Sequence, residues 1–247
     1  MKKFLKVLAI GVCATMLVSC GGKESSTTVD MNRVYSVGTN AEYPPFEYLE
    51  NGKISGLDAE IIELISQKTG IKYEWKNMNF DGLIPALQTK KIDVVIAGMS
   101  ITPERSKAVN FSIPYLTSNV TFLANKNNPI NGEEDLKNRT YGAELGTTKE
   151  AAARKVEGAT VVPFTSNTAA LVALKSGKVD GIVVDESVAK SFIEKNSDLE
   201  IGATLSGEPK AIAFNKDSVA LKEAFDKALK ELLEDGTIDK LKAKYGV

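Results

Sequence analysis

The chain has 247 residues, with 31 lysine and arginine residues against 32 aspartate and glutamate, no histidine and two cysteines. That balance lacks the basic excess of a nucleic-acid binder. Without histidine, and with cysteine this sparse, Cys/His metal clusters and Ser/His/Asp or Cys/His catalysis are excluded.

The chain opens with Lys2, Lys3 and Lys6, followed by an apolar run over residues 7–18 that ends in Leu17-Val18-Ser19-Cys20-Gly21. Positive charge, a short apolar stretch and small residues in that order form an export signal, and the run is shorter than the roughly 20 apolar residues of a membrane span. Leu17-Val18-Ser19-Cys20 resembles a bacterial lipobox. It implies removal of residues 1–19 and a lipid on Cys20, which anchors the protein to a membrane in the periplasm or on the cell surface. Cys13 leaves with the leader, so Cys20 has no internal disulfide partner. Cleavage removes three of the 31 basic residues and none of the 32 acidic ones, leaving a net charge of −4. Residues 20–32 read as a lipidated, flexible tether rich in Gly, Ser and Thr. The remainder is long enough for two lobes, each with its own core.

Beyond the tether, strand candidates at 35–37, 72–75, 94–97, 120–124, 141–143, 182–184 and 212–214 alternate with helical periodicity, which predicts an α/β chain with largely parallel sheets. Leu57, Ile61, Leu64 and Ile65 form one helical stripe with Gly70 as its C-cap, and Phe80, Leu83, Ile84 and Leu87 form a second. A C-terminal helix over 219–234 is expected, with Ser218 as N-cap and Leu221, Phe225, Leu229 and Leu232 on one face. Residues 86–98 echo residues 173–185 at a constant offset of 87: helix, lysine-bearing turn, Asp, buried strand. The echo predicts two similarly built lobes. Lobe 1 is expected to comprise 33–118 plus 213–247 and lobe 2 to comprise 119–212, with hinge strands at each end making two crossings.

Ligands of open α/β sheets gather beyond the carboxyl ends of strands. Four segments answer to that rule: 39–43 with Asn40, Glu42 and Tyr43, then Gly98-Met99-Ser100, Gly146-Thr147-Thr148, and Asp185. Thr102 and Pro103 read as a helix start, so Arg105 falls in the first turn, where a cation opposes the helix dipole unless an anion meets it. Its planar fork suits a carboxylate; pairing with Glu104 or solvent is the plainer alternative. Thr147 and Glu150 fit a capping box whose free amides attract anions, although ordinary capping needs no ligand. Asp185 can hold an ammonium or cap the helix that follows it. Tyr43, Phe46 and Phe80 are candidate apolar walls.

Over residues 33–247 the chain resembles the bacterial polar amino-acid solute-binding proteins of ABC importers. The motifs that carry the likeness are Tyr43-Pro44-Pro45-Phe46-Glu47, Gly56-Leu57-Asp58, Phe80-Asp81-Gly82-Leu83-Ile84-Pro85-Ala86-Leu87, Ala97-Gly98-Met99-Ser100-Ile101-Thr102-Pro103-Glu104-Arg105 and Asp235-Gly236-Thr237. The resemblance implies a two-lobed periplasmic-binding-protein fold, type II-like, that acts as a monomer, needs no cofactor and delivers its ligand to an importer permease. It further implies that Arg105, with Ser100 and Thr148, holds the ligand carboxylate. Asp185, with the Gly98 carbonyl and Ser100, would hold the ammonium, and Tyr43 and Phe80 would sandwich the side chain. Asn40 stands where many such proteins carry an acid; Glu42 and Glu144 are further acidic candidates. A basic ligand such as arginine, lysine or histidine is favoured, with glutamine or another neutral polar amino acid as the alternative.

Two other readings use the same lobes. Periplasmic cyclohexadienyl and arogenate dehydratases resemble this fold, with Glu42, Glu47, Glu144 and Asp185 as conceivable acid and base. A receptor module is the other, expected to be fused to further membrane and cytoplasmic segments.

Overall fold

The computed structural model describes residues 28–247; the export leader, Cys20 and residues up to 27 of the tether lie outside the described residues. In chain order, β1 (Val34–Thr39) precedes β2 (Glu42–Tyr43), β3 (Glu47–Glu50), β4 (Lys53–Ser55), α1 (Leu57–Thr69), β5 (Lys72–Asn77), α2 (Phe80–Gln88), β6 (Val94–Val95), α3 (Pro103–Ala108) and β7 (Asn110–Phe111). Then follow β8 (Leu116–Asn125), β9 (Thr140–Glu144), α4 (Thr148–Arg154), β10 (Thr160–Phe164), α5 (Asn167–Lys175), β11 (Gly181–Asp185) and α6 (Glu186–Lys195). The chain closes with β12 (Leu199–Lys210), β13 (Ala213–Phe214), α7 (Val219–Glu234) and α8 (Thr237–Tyr245).

Two five-stranded sheets carry the two lobes, in the orders β5-β1-β6-β13-β7 and β10-β9-β11-β8-β12. Each is mixed: β5, β1 and β6 run parallel, as do β10, β9 and β11, while β13, β7, β8 and β12 pair antiparallel. All seven predicted strands are present. The amphipathic stripes place Leu57, Ile61 and Ile65 of α1 in the core, and Gly70 ends that helix in the left-handed conformation. Leu221, Phe225, Leu229 and Leu232 are buried on α7, which packs against α1. Ser218 occupies the N-cap position of α7 without a side-chain capping bond.

The sequence echo is a structural repeat. Asp93 and Asp180, 87 residues apart, each bracket the start of the neighbouring strand. The Asp93 carboxylate accepts from Ser36 N at 2.9 Å while its own N–H donates to Ser36 O at 2.9 Å. Asp180 does the same to Thr140, at 2.8 Å in both directions. The two helix-to-strand turns therefore lock β1 and β9 in the same register, and the repeat ends at Gly98 in one lobe and Asp185 in the other.

The crossings between lobes are the paired ends of β8 and β12, with Thr117 opposite Pro209 and Leu116 opposite Lys210. Lys210 also bridges to Ser100, which fastens the crossing to the loop after β6. Three elements carry no simple signal. Pro163 lies within β10, which is tolerated because that strand lies at a sheet edge. β12 is broken by Gly202, Gly207 and Pro209 and follows no clean alternation. The small sheet β2-β3-β4 is held by Gly56, where φ is 117° and an added Cβ would sit 2.3 Å from Phe46 O, so only glycine lets α1 start there.

Candidate ligand-binding cleft

Four strand ends converge between the lobes. After β6, Thr102 caps α3 by accepting from Arg105 N at 3.2 Å, with Pro103 in the first helical position. This fixes the base of the Arg105 side chain, whose guanidinium donates to Ser100 O at 2.7 Å and, across the cleft, to Gly146 O at 3.0 Å. It lies 5.3 Å from the Phe80 ring centroid. Arg105 is thus aimed into the cleft and makes no pair with Glu104. Burial lowers its pKa to about 10, which leaves it charged at neutral pH.

Opposite it, Thr147 caps α4, accepting from Glu150 N at 3.1 Å. The expected capping box closes one residue early, because the Glu150 carboxylate accepts from Gly146 N at 2.8 Å and not from Thr147. The same glycine thus donates its N–H to Glu150 and offers its carbonyl to Arg105. Thr148 Oγ1 lies 3.4 Å from Ser100 Oγ, so the two hydroxyls expected to assist Arg105 face each other.

Asp185 ends β11 fully buried. It occupies the N-cap position of α6 but makes no side-chain capping bond. Its Oδ2 instead accepts from Tyr43 Oη at 2.7 Å, Lys149 Nζ at 2.5 Å and Lys210 Nζ at 2.9 Å. Burial alone would raise its pKa; the two lysine charges outweigh this and hold the carboxyl below its ordinary value. Two ammonium groups of the chain itself thus already meet the carboxylate expected to hold a ligand ammonium. Lys210 Nζ also donates to Gly98 O at 2.8 Å, joining the equivalent ends of the two repeats.

Between these poles lies a small cavity lined by Asn40, Tyr43, Phe80, Glu144, Thr147 and Lys149, among others. Asn40 and Glu144 come together, Asn40 Nδ2 donating to Glu144 Oε1 at 3.2 Å, and Asn167 Nδ2 donates to Glu144 Oε2 at 2.6 Å. Glu42 is exposed on β2. The Met99 side chain is a correction: it is buried in an apolar cluster with Leu83, Leu87 and Val109, so position 99 contributes backbone and core packing. Tyr43 stacks on Phe46 at 5.7 Å, which puts Phe46 behind the aromatic wall. Asp58 supports the site from below by accepting from Gly98 N at 2.7 Å. Burial raises the Asp58 carboxyl to about 6, and burial together with the nearby Asp58 charge raises that of Glu47.

Lys149, Lys210 and Asn167 were not anticipated as site residues. Lys149 directly follows the Gly146-Thr147-Thr148 motif, and that adjacency was the available signal. Nothing local marks the other two.

Burial raises Glu144 to about 7 from an ordinary 4.5, against the lowering effects of Asn167 and Lys149. A carboxyl with a raised folded-state pKa contributes stability below its unfolded value and loses it as pH climbs through the folded one. Melting curves of Glu144→Gln and the parent protein should therefore diverge in the variant's favour as pH rises from about 4.5 to about 7. A constant difference across that window would show that Glu144 does not titrate there.

Residues 35–247 match the family of bacterial extracellular solute-binding proteins, family 3. The chain belongs to this family. It is 36% identical over 257 aligned residues to a probable histidine-binding protein of Campylobacter jejuni, covering 99% of both chains. Among solved structures it is similar to an ancestral arginine-binding protein bound to arginine, at 43% identity and a TM-score of 0.82, covering 87% of this chain and 99% of the other. An ancestral arginine-binding protein bound to glutamine gives 44% identity and a TM-score of 0.81, with 86% and 97% covered. This is therefore an exported solute-binding protein of two lobes and not an enzyme, which sets the dehydratase reading aside.

Proposed function

We propose that this solute-binding protein captures a polar amino acid between its lobes and presents it to the permease of an ABC importer, acting as a monomer held to the membrane through a lipid on Cys20. The lobes are assigned as 33–118 plus 213–247 and 119–212. One observation carries the reading: Arg105 and Asp185, opposite charges rooted at strand ends of different lobes, stand behind the lining of one cavity, Arg105 over Phe80 and Asp185 on Tyr43 and Lys149. In the bound state the α-carboxylate takes the Arg105 fork with the Ser100 and Thr148 hydroxyls, and the α-ammonium takes Asp185. Tyr43 and Phe80 flank the side chain, whose far end meets Asn40 and Glu144. A ligand that touches both lobes stabilises closure by its differential affinity for the closed form.

The acidic Glu144 and the histidine- and arginine-binding relatives favour a basic amino acid. The amide of Asn40 and the glutamine-bound relative support glutamine as the second reading. A thermal-shift screen of the common amino acids tests both. A ligand at 100 times its Kd adds about 2.7 kcal/mol, which is about 5–10 °C for a protein of this size. No shift with any amino acid would overturn the proposal.

A further inference from the structure

Asp185 is over-supplied with cations. The fully buried Lys210 is fixed at both Gly98 O and Asp185, whereas Lys149 Nζ is ion-paired to Asp185 and lines the cavity itself. Lys149 and Asp185 stand on α4 and β11 of the same sheet-and-helix layer, so this pair survives any opening of the cleft. On the reading given above, a ligand ammonium that reaches Asp185 displaces the Lys149 ammonium. Two carboxyls line the cavity. Burial and the nearby Asp58 raise the Glu47 carboxyl well above its ordinary value and make it the poorer partner for a cation, which leaves Glu144, already close enough to Lys149 for the lysine charge to lower its pKa.

The displaced Lys149 therefore turns to Glu144, at the end of the cavity where the ligand side chain arrives. The ligand's own charges are matched by Arg105 and Asp185, and Glu144 by Lys149; Lys210 and Asp58 lie behind Gly98. Among the residues lining the cavity no unmatched carboxylate remains for a cationic side chain, Glu42 and Asp81 acting on Glu144 from outside that lining, and an uncompensated buried charge is strongly unfavourable. An uncharged side chain with a lone pair finds two donors there, the Asn40 amide and the Lys149 ammonium.

We propose that Lys149 makes this cleft a filter for side-chain charge, admitting amino acids whose side chain is an uncharged hydrogen-bond acceptor, an imidazole or a carboxamide, and rejecting the permanent cations guanidinium and ammonium. Within the proposed function this ranks histidine and glutamine ahead of arginine and lysine.

Calorimetric titration of the full exported chain with L-histidine, L-glutamine, L-arginine and L-lysine tests it. The working pH is about 7.5, above the ordinary imidazole value of about 6.5 and below the value of about 8 to which burial lowers Lys149. The parent protein should bind histidine or glutamine at least about tenfold more tightly than arginine and lysine. Lys149→Gln should gain arginine affinity and narrow that gap, and Lys149→Arg should keep the parent ranking. Arginine or lysine bound by the parent as tightly as the better of the other two overturns the filter and leaves the amino-acid reading standing, as does an unchanged ranking in a folded Lys149→Gln. Binding of none of the four overturns the underlying reading and the filter together.

Discussion

Arg105→Ala is expected to weaken amino-acid binding by on the order of a hundredfold or more while leaving the fold intact. A charge-assisted hydrogen bond is worth about 1.5–3 kcal/mol, and the Arg105 fork offers two of them to a carboxylate. Each 1.4 kcal/mol is a factor of about ten in Kd, so the loss exceeds what the Ser100 and Thr148 hydroxyls recover. The fold is spared because α3 contributes no buried residue to a core and water can replace the bonds to Ser100 O and Gly146 O. Arg105→Lys retains the charge without the planar fork and should fall between the two. Titration calorimetry beside a melting curve separates binding from stability. Parent-like affinity in folded Arg105→Ala would remove the carboxylate anchor from the account.

The second large effect is expected at the crossing between lobes. Gly207 lies in β12 at the register shift between Leu205 and Glu208. A Cβ there would stand 1.5 Å from Ser118 O, 2.4 Å from Ser118 C and 2.9 Å from Asn119 Cα. All three atoms are backbone, so no rotamer change relieves the contact; Gly207→Ala must push β12 away from β8. Overpacking of this kind costs about 1–3 kcal/mol, and the upper end applies where backbone has to move. The melting temperature should drop by about 6–12 °C, and ligand affinity should fall with it because Lys210 and its bonds to Gly98 and Asp185 hang on the same strand. Gly82→Ala in α2 is the control, since a Cβ there meets nothing within 4 Å and alanine suits a helix interior better than glycine. Equal melting temperatures for the two variants would refute the steric argument.

What could be read from the sequence was local and periodic. The stripes of α1, α2 and α7 and the buried runs of the parallel strands announce themselves, because one face of each must leave water. The repeat at Asp93 and Asp180 was legible because both copies use the same bonds to the adjacent strand. Arg105, Thr147 and Asp185 were legible because caps and strand ends have fixed chemistry. β12 was not: its glycines and proline follow from close approach to β8, a relation between residues some 90 positions apart. The lysines were hidden for a similar reason. Lysine belongs on surfaces by default, and only the fold brings Lys149 and Lys210 to one carboxylate. That miss matters most, since it changes Asp185 from an open ammonium acceptor into a contested one.

A crystal structure with an amino acid bound tests the central claim most directly. The account predicts the α-carboxylate in the Arg105 fork and the α-ammonium on Asp185, with the Lys149 ammonium moved to Glu144. A ligand lodged elsewhere, with Asp185 still held by both lysines and Arg105 still on Gly146 O, would contradict it.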